Sequence, residues 1–577
     1  MSVGAIETQA AFGRKHRALS VPAALIVVLP LAWPVLVAAW HASHVMFGRD
    51  QGIYQFAAWA VSKGARDYLD IRDINGPMTH AVHQLLLALG GEDEQRFRAL
   101  DIVITFASFG FTGACLPGFY RAGQASQSSG PSLGQRLAWS AVGCVVLGAQ
   151  YLSFTYWDIG QRESFCNWMF LPSIGLMLLV QGNASVKRVL AQRALLVLAG
   201  VLSLLPWFIK PTYAFCSLLQ IAALLLAPAP EGRLRGVLAF AAGLAAGLAL
   251  ELAWLLRFSD VGAMLRAYVW EAPRMYGPIW HIGPGALLLR TGFPNWSGYA
   301  LLVAVLLAGM TQRGWLPRRA LVLAALPVLA VFHVLVQGKG FGYHYHLLTA
   351  STYLALMAAV CVLAERSATS RFGFRVPLAS ALALTGIVAW RLTSVPYLDP
   401  RYRIFEGNSF DRPRLELSRH YRYMRYNPWD LGRAASYVAK ATLPGAKIFL
   451  YGTNPYLLFL AKRDSATRDL YVHQLNVDAA IDGRSASAVA YEPGERLSPA
   501  RERELRAIRD RNARVMFEDL KRAPPALAVF TDHEAFMSET DSWLDFKQRN
   551  PEAAVWLSER YREVVRFGTT RIWERIP

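Results

Sequence analysis

The sequence predicts a polytopic α-helical membrane protein with a soluble α/β domain at its C-terminal end. Three observations lead there. Of 577 residues, 54% are hydrophobic and only 18% are charged, below the roughly 25% charged of ordinary soluble domains. The apolar residues come in runs such as Ala194–Phe208, Gly236–Leu256 and Tyr345–Leu363, and a membrane span needs roughly 20 mostly apolar residues. After Arg391 the hydropathy falls sharply, and Tyr397–Pro577 is polar and charged.

About eleven span-length segments fit between Val21 and Trp390, with interfacial or re-entrant helices between them. On this reading the chain divides into a membrane part, residues 1–394, and a soluble extracytoplasmic part, residues 395–577. The stretch Gly13-Arg14-Lys15-His16-Arg17 before Val21–Trp40 has the look of a signal peptide. Its apolar run exceeds the roughly 7–15 residues of a signal core, so it reads as an uncleaved first span.

The formal charge is +19, from 60 Lys and Arg against 41 Asp and Glu. The basic residues sit in short loops between spans, the positive-inside pattern, and this distribution argues against nucleic-acid binding. The cysteines Cys115, Cys144, Cys166, Cys216 and Cys361 lie in or beside apolar segments without ligand spacing. They read as small buried apolar residues, with no disulfide framework and no zinc site.

The basic loops are Arg121–Arg136, Lys187–Arg193, Arg233–Arg235, Arg313–Arg319 and Arg366–Arg375. Consecutive ones are separated by two spans, so all are expected in the cytoplasm. That parity holds only if Pro77–Gly90, apolar but short, does not cross the membrane; Pro77 fits the first turn of such a helix. Ala42–Gly76, Trp157–Glu163, Arg257–Asn295, Gln337–His346 and the tail then share the outer face. In the tail, Lys447–Tyr451 and Ala526–Thr531 read as strands, Arg501–Lys521 as a charged helix and Arg562–Arg575 as a terminal strand or hairpin.

The outer loops hold the candidate chemistry. Asp50, in Phe47-Gly-Arg-Asp-Gln-Gly-Ile-Tyr54, sits at a membrane mouth. Partial desolvation there suits a general base, and capping of a short interfacial helix over Gln55–Lys63 is the alternative. Asp70 and Asp73 flank Arg72 and read as ligands for a cation or for sugar hydroxyls, or as members of local ion pairs in a solvated loop. In Gln161-Arg162-Glu163 the guanidinium of Arg162 matches phosphate geometry, and charge at membrane depth is costly enough to imply a role. Glu163 would orient Arg162 or touch a sugar. Lys210, before Pro211, either snorkels or meets a phosphate. Arg274 is a further phosphate candidate, while Trp270, Tyr276 and Trp280 read as an interfacial belt. Lys339, Tyr343, His344 and His346 cluster in a glycine-rich span entrance. Without a nearby carboxylate or Cys, phosphate contact is favoured there over metal.

An outer first loop with an early Asp, an interfacial helix, a second acidic stretch and a Pro-led apolar helix resembles the GT-C glycosyltransferases. It is most similar to the branch of protein O-mannosyltransferases and lipid A aminoarabinose transferases, glycosyltransferase family 39. The Gln-Arg-Glu run, the Lys210-Pro211 pair and the Lys339…Tyr343-His344 pattern are similar to loops of family members. The chain reads Asp50-Gln51 where the family often has an acidic pair, and Asn75-Gly76-Pro77 where it has a Lys-Pro-Pro-like entry. The resemblance implies a polyprenyl-phosphate sugar donor, Asp50 as base, and inversion on transfer to a glycan, lipid or protein hydroxyl. It implies no obligatory metal or other cofactor, and a site on the periplasmic side of a bacterial inner membrane. A transporter or flippase of lipid-linked glycans, or an assembly protein, is the alternative. A transporter predicts an inverted repeat or mid-membrane charges, and the sequence shows neither clearly.

Overall fold

A computed structural model describes residues 19–117, 119, 131–182, 189–226, 232–279, 281–290, 294–314, 316, 320–366, 375–399, 428–482, 497–534 and 536–577. Of the expected basic loops only 233–235 lies fully within them; the other four fall partly outside, and Trp280 lies outside altogether. The chain forms two compact units interleaved in sequence. The first comprises Met1–Val45, Asp93–Glu251 and Pro284–Arg403, the second Met46–Glu92, Leu252–Gly283 and Ile404–Pro577.

The first unit is helical. Among the described residues seven helices are long and apolar enough to cross a membrane: Ser20–Ala42, Glu94–Ala114, Arg162–Val180, Val189–Phe208, Arg233–Phe258, Gly342–Glu365 and Arg375–Leu392. Pro211–Leu226, Tyr299–Gln312 and Leu321–Gln337 are shorter apolar helices, and Leu133–Leu152 adds a helix of 20 residues. In Ser20–Ala42 the residues Ala24, Val27, Leu31, Val35 and Ala38 are buried at helical spacing, while Leu29 and Trp33 are 72% and 74% exposed. Both faces are apolar, which suits a helix solvated by lipid on one side and by protein on the other.

Small residues set the closest crossings, as membrane helices require when packing rather than expulsion from water drives association. A Cβ added at Gly113 would fall 2.3 Å from the carbonyl of Trp139, and one at Gly143 2.3 Å from that of Phe109. Gly200 and Gly243 make a second such crossing, where added Cβ atoms would fall 2.2 Å and 2.0 Å from the carbonyls of Phe240 and Val197.

The second unit is built on a sheet of five strands in the order β2-β1-β3-β5-β4. They are β1 (Lys447–Tyr451), β2 (Asp464–Ser465), β3 (Leu527–Thr531), β4 (Tyr561–Phe567) and β5 (Thr570–Arg575). β1 runs parallel to β2 and β3, and β5 is antiparallel to β3 and β4. β3 is buried throughout and β1 beyond its first residue, as strands covered on both faces are. The helix Pro499–Arg522 leads the chain into β3. Ser498 caps it by accepting from Arg501 N, and Pro499 fills its first turn.

Two segments from between the apolar helices complete this unit. The helix Arg49–Ser62 packs so closely on the helix Tyr456–Ala461 that a Cβ at Gly52 would lie 2.5 Å from Tyr456 Cβ. Arg72 Nη1 pairs with Asp469 at 3.0 Å and donates to Asn512 at 2.7 Å. Arg511 pairs with Glu271. Contacts thus join residues 46–92 and 252–283 to the tail residues within this unit.

Candidate active site

One cluster of ionisable groups lies within the second unit. The helix expected over 55–63 begins instead at Arg49, with Gly48 at its N-cap. Asp50 is therefore not the cap. It stands in the first turn, where the positive end of the helix dipole favours a carboxylate. Nor is the helix amphipathic: both faces are buried, including Ile53, Phe56, Trp59 and Ala60.

Asp50 shares a neighbour with Asp73. The phenol of Tyr471 lies in the field of Asp50 and donates to Asp73 Oδ1 at 2.6 Å. Asp73 also accepts from the backbone of Ile74 and from Asn75 Nδ2, both at 2.6 Å. Its other oxygen lies 2.7 Å from His80 Nε2, and His80 Nδ1 lies 2.7 Å from Asp67 Oδ2. The side chains of Asp67, Asp73 and His80 are fully buried.

Burial opposes a charged His80, but the two carboxylates outweigh it and raise its pKa to about 10. Burial also works against the Asp73 charge, and the hydrogen bonds of His80, Tyr471 and Asn75 outweigh it, so its pKa falls. For Asp67 burial prevails and the pKa rises. Among the described residues, the local ion pairs expected between Arg72 and its flanking carboxylates do not form. Arg72 turns to Asp469, and Asp70 accepts from Arg66 N at 2.8 Å. Tertiary contacts offer Arg72 and Asp73 better partners than their sequence neighbours.

The guanidinium of Arg274 lies 3.2 Å from the Trp270 ring centroid and pairs with Glu504 at 3.0 Å, so it is engaged within this unit. Tyr276 packs on His473 and Phe536 of the same unit.

The second cluster belongs to the helical unit. The helix Arg162–Gly182 begins with Arg162 and Glu163, and Glu163 is fully buried. Lys210 occupies the break between apolar helices at Pro211. Its Nζ lies 3.0 Å from Glu163 Oε1 and donates to Gln337 Oε1 at 2.8 Å. It does not snorkel. His344 Nε2 lies 3.8 Å from the same Glu163 oxygen, and Arg162 lies 5.6 Å from the Tyr343 ring centroid. Lys210, Arg162, His333 and Lys339 all act on His344 electrostatically. Burial, and then the charge of Lys210, lower the Lys339 pKa to about 7. Gly338 and Gly340 supply the left-handed backbone that this loop needs, at φ +62° and +63°.

Arg162, Lys210, Lys339 and His344 thus stand in one electrostatic neighbourhood with Glu163. Asp158 is a second carboxylate nearby: a Cβ added at Gly342 would fall 2.7 Å from its Oδ1. His346 is engaged structurally. It bonds the carbonyl of Asp158 at 2.8 Å and packs on Phe154, with ring centroids 4.0 Å apart. Sequence reading missed His80, Asp67 and Tyr471. His80 and His83 within the helix Pro77–Gly90 were the available signal, but the partners of His80 come from outside that helix.

No protein-family model and no curated protein sequence matches the chain. Its fold is similar to that of ArnT from Cupriavidus metallidurans, solved bound to undecaprenyl phosphate. The TM-score is 0.53 at 12% identity, over 95% of this chain and 98% of that one. Weaker likenesses reach an Archaeoglobus fulgidus oligosaccharyltransferase in the apo form (TM-score 0.39, 13% identity, 89% of this chain, 69% of that). The archaeal oligosaccharyltransferase AglB from the same organism, in complex with an inhibitory peptide and a dolichol-phosphate, stands at 0.39 and 14% identity, over 96% of this chain and 74% of that.

Proposed function

We propose, from the premise that this polytopic membrane protein has the GT-C fold, that it transfers a sugar from a polyprenyl-phosphate donor to an acceptor hydroxyl. Transfer takes place at the outer face of the cytoplasmic membrane and inverts the anomeric centre. Residues 1–394 carry the donor site, and residues 395–577 form an extracytoplasmic domain.

The observation that carries this reading is the gathering of basic side chains around Glu163. Arg162, Lys210 and Lys339 stand there with His344. Even with Asp158 counted beside Glu163, cations outnumber carboxylates, and a phosphate anion suits the difference. Such cations also offset the charge that develops on a departing phosphate. Tyr343 and the backbone of the loop 338–342 frame the site. Glu163 holds Lys210 in place and is a positioning residue.

Asp50 takes the proton of the acceptor hydroxyl. The hydroxyl oxygen attacks the anomeric carbon, the bond from that carbon to the phosphate oxygen breaks, and polyprenyl phosphate leaves with the electron pair. Tyr471 and Asp73 fix the surroundings of Asp50. Arg274, held by Trp270 and Glu504, is assigned to the scaffold.

The test is Asp50→Asn in the purified protein with a radiolabelled polyprenyl-phosphate sugar. Loss of a general base lowers turnover by roughly 10²–10⁴-fold, while copurified polyprenyl phosphate, read by mass spectrometry, stays at the wild-type level. Transfer at the wild-type rate in Asp50→Asn would remove the base from the scheme. Unchanged lipid copurification in an Arg162→Ala, Lys339→Gln double variant would remove the phosphate site.

A further inference from the structure

A cavity of about 270 Å³ lies wholly within the second unit, beside the edge strand β2 and the first residue of β1. Phe56, Leu69 and Ile71 from the segment after the first apolar helix supply its apolar lining.

Three polar side chains in the lining have no partner among the described residues: the Lys447 ammonium, the Asp464 carboxylate and the Thr467 hydroxyl. Lys447 and Asp464 are register partners on adjacent parallel strands. Opposite charges on neighbouring strands ordinarily attract, yet no ion pair joins these two. Thr467 is only 4% exposed as a residue, and its hydroxyl keeps unused bonding capacity. Next to them Arg468 grips Asp519 through two contacts of 3.1 Å, and Arg522 pairs with the same carboxylate. With Lys63, and against Asp70, the lining holds four basic side chains and three carboxylates, which leaves positive charge over.

We propose that this cavity binds one sugar residue bearing an acidic group, a phosphate or a carboxylate. A sugar hydroxyl donates and accepts at once. Asp464 accepts, Lys447 donates and Thr467 does both. The guanidinium of Arg522 matches a planar or tetrahedral anion. The apolar lining takes the C–H face of the ring. Ligand pockets of about 300–1,000 Å³ hold drug-sized molecules, so a cavity of this volume takes a single residue rather than an extended chain. Its role as a dock for the acceptor glycan rests on the glycosyl-transfer reading above; the binding itself does not.

The experiment uses the full chain in nanodiscs, with glucose 6-phosphate, glucuronate and glucose as probes in saturation-transfer NMR titrations. Both acidic sugars bind, and glucose binds at least about tenfold more weakly, the worth of a hydrogen bond to a charged group. The preference between phosphate and carboxylate identifies the acid. Asp464→Asn and Thr467→Val each weaken binding by about tenfold or more, while Thr467→Ser, which keeps the hydroxyl, binds as wild type and unfolds at the same temperature. The proposal is overturned if neither acidic sugar binds, or if Asp464→Asn and Thr467→Val bind them unchanged. Asp50→Asn separates the two readings. It leaves this binding intact, so a dead transferase that binds no sugar defeats the dock alone, and sugar binding with undiminished transfer in Asp50→Asn defeats the base alone.

Discussion

Replacing His80 by Gln removes the positive charge between Asp67 and Asp73 and keeps a hydrogen-bonding side chain of similar reach. All three groups are fully buried, and both contacts are 2.7 Å. Breaking a buried ion pair from one side costs about 3–5 kcal/mol, because the remaining charge has no partner. The two carboxylates raise the His80 pKa from 6.5 to about 10, the direction expected when they hold its positive charge. Asp67 limits the loss by taking up a proton, since burial already raises its pKa. Asp73 keeps Tyr471, Asn75 and the Ile74 amide. We therefore expect a loss of about 3 kcal/mol, which lowers the melting temperature of a unit this size by roughly 6–12 °C.

Detergent-solubilised wild type and His80→Gln are compared by thermal unfolding and by trypsin resistance of the tail. Because the folded pKa of His80 lies above the unfolded one, its stabilisation is complete below pH 6.5 and disappears as pH rises to about 10. The difference between the two proteins narrows over that window. Adding Asp67→Asn to His80→Gln restores part of the loss, since one buried carboxylate is then neutral. A His80→Gln protein that melts within about 2 °C of wild type at pH 6 has lost less than about 1 kcal/mol, and that result refutes the charged triad.

Three further outcomes follow from the same geometry. With Lys339 titrating at about 7, polyprenyl-phosphate affinity falls as pH rises through 7 and 8; Lys339→Arg keeps the charge and flattens the profile, measured by lipid-binding titration, and an unchanged slope in that variant counts against Lys339 as a ligand. Gly52→Ala drives a methyl group against Tyr456 Cβ and Cγ and costs about 1–3 kcal/mol through overpacking; trypsin cleavage of the tail reads this, and Tyr456→Ala in the same chain relieves it. Gly243→Val places its side chain on the Val197 carbonyl and lowers the yield of folded protein in size-exclusion chromatography, whereas Gly386→Val, with open space around it, leaves the yield unchanged.

Hydropathy is a local property, and what it governs was legible in the linear chain. The apolar runs at Ser20–Ala42, Arg233–Phe258 and Gly342–Glu365 are helices of spanning length. The strands expected over 447–451 and 526–531 appear as β1 and β3, and the charged helix expected over 501–521 appears as Pro499–Arg522. Of the candidate ionisable residues, Asp50 and Glu163 stand in the first turns of helices and Lys210 and Lys339 between helices.

Choice of partner is not local, and only the tertiary structure decided it. Asp73 lies beside Arg72 in sequence, yet it bonds Tyr471 across 398 positions, while Arg72 reaches Asp469 across 397. Glu163 adjoins Arg162, but it pairs with Lys210, brought up by the break at Pro211. A buried charge must find the partner that best repays its lost hydration, and which partner comes within about 3 Å depends on how distant segments pack. The order of apolar and charged residues along the chain therefore determined its long apolar helices and the charges at their ends; folding alone determined which of those charges meet.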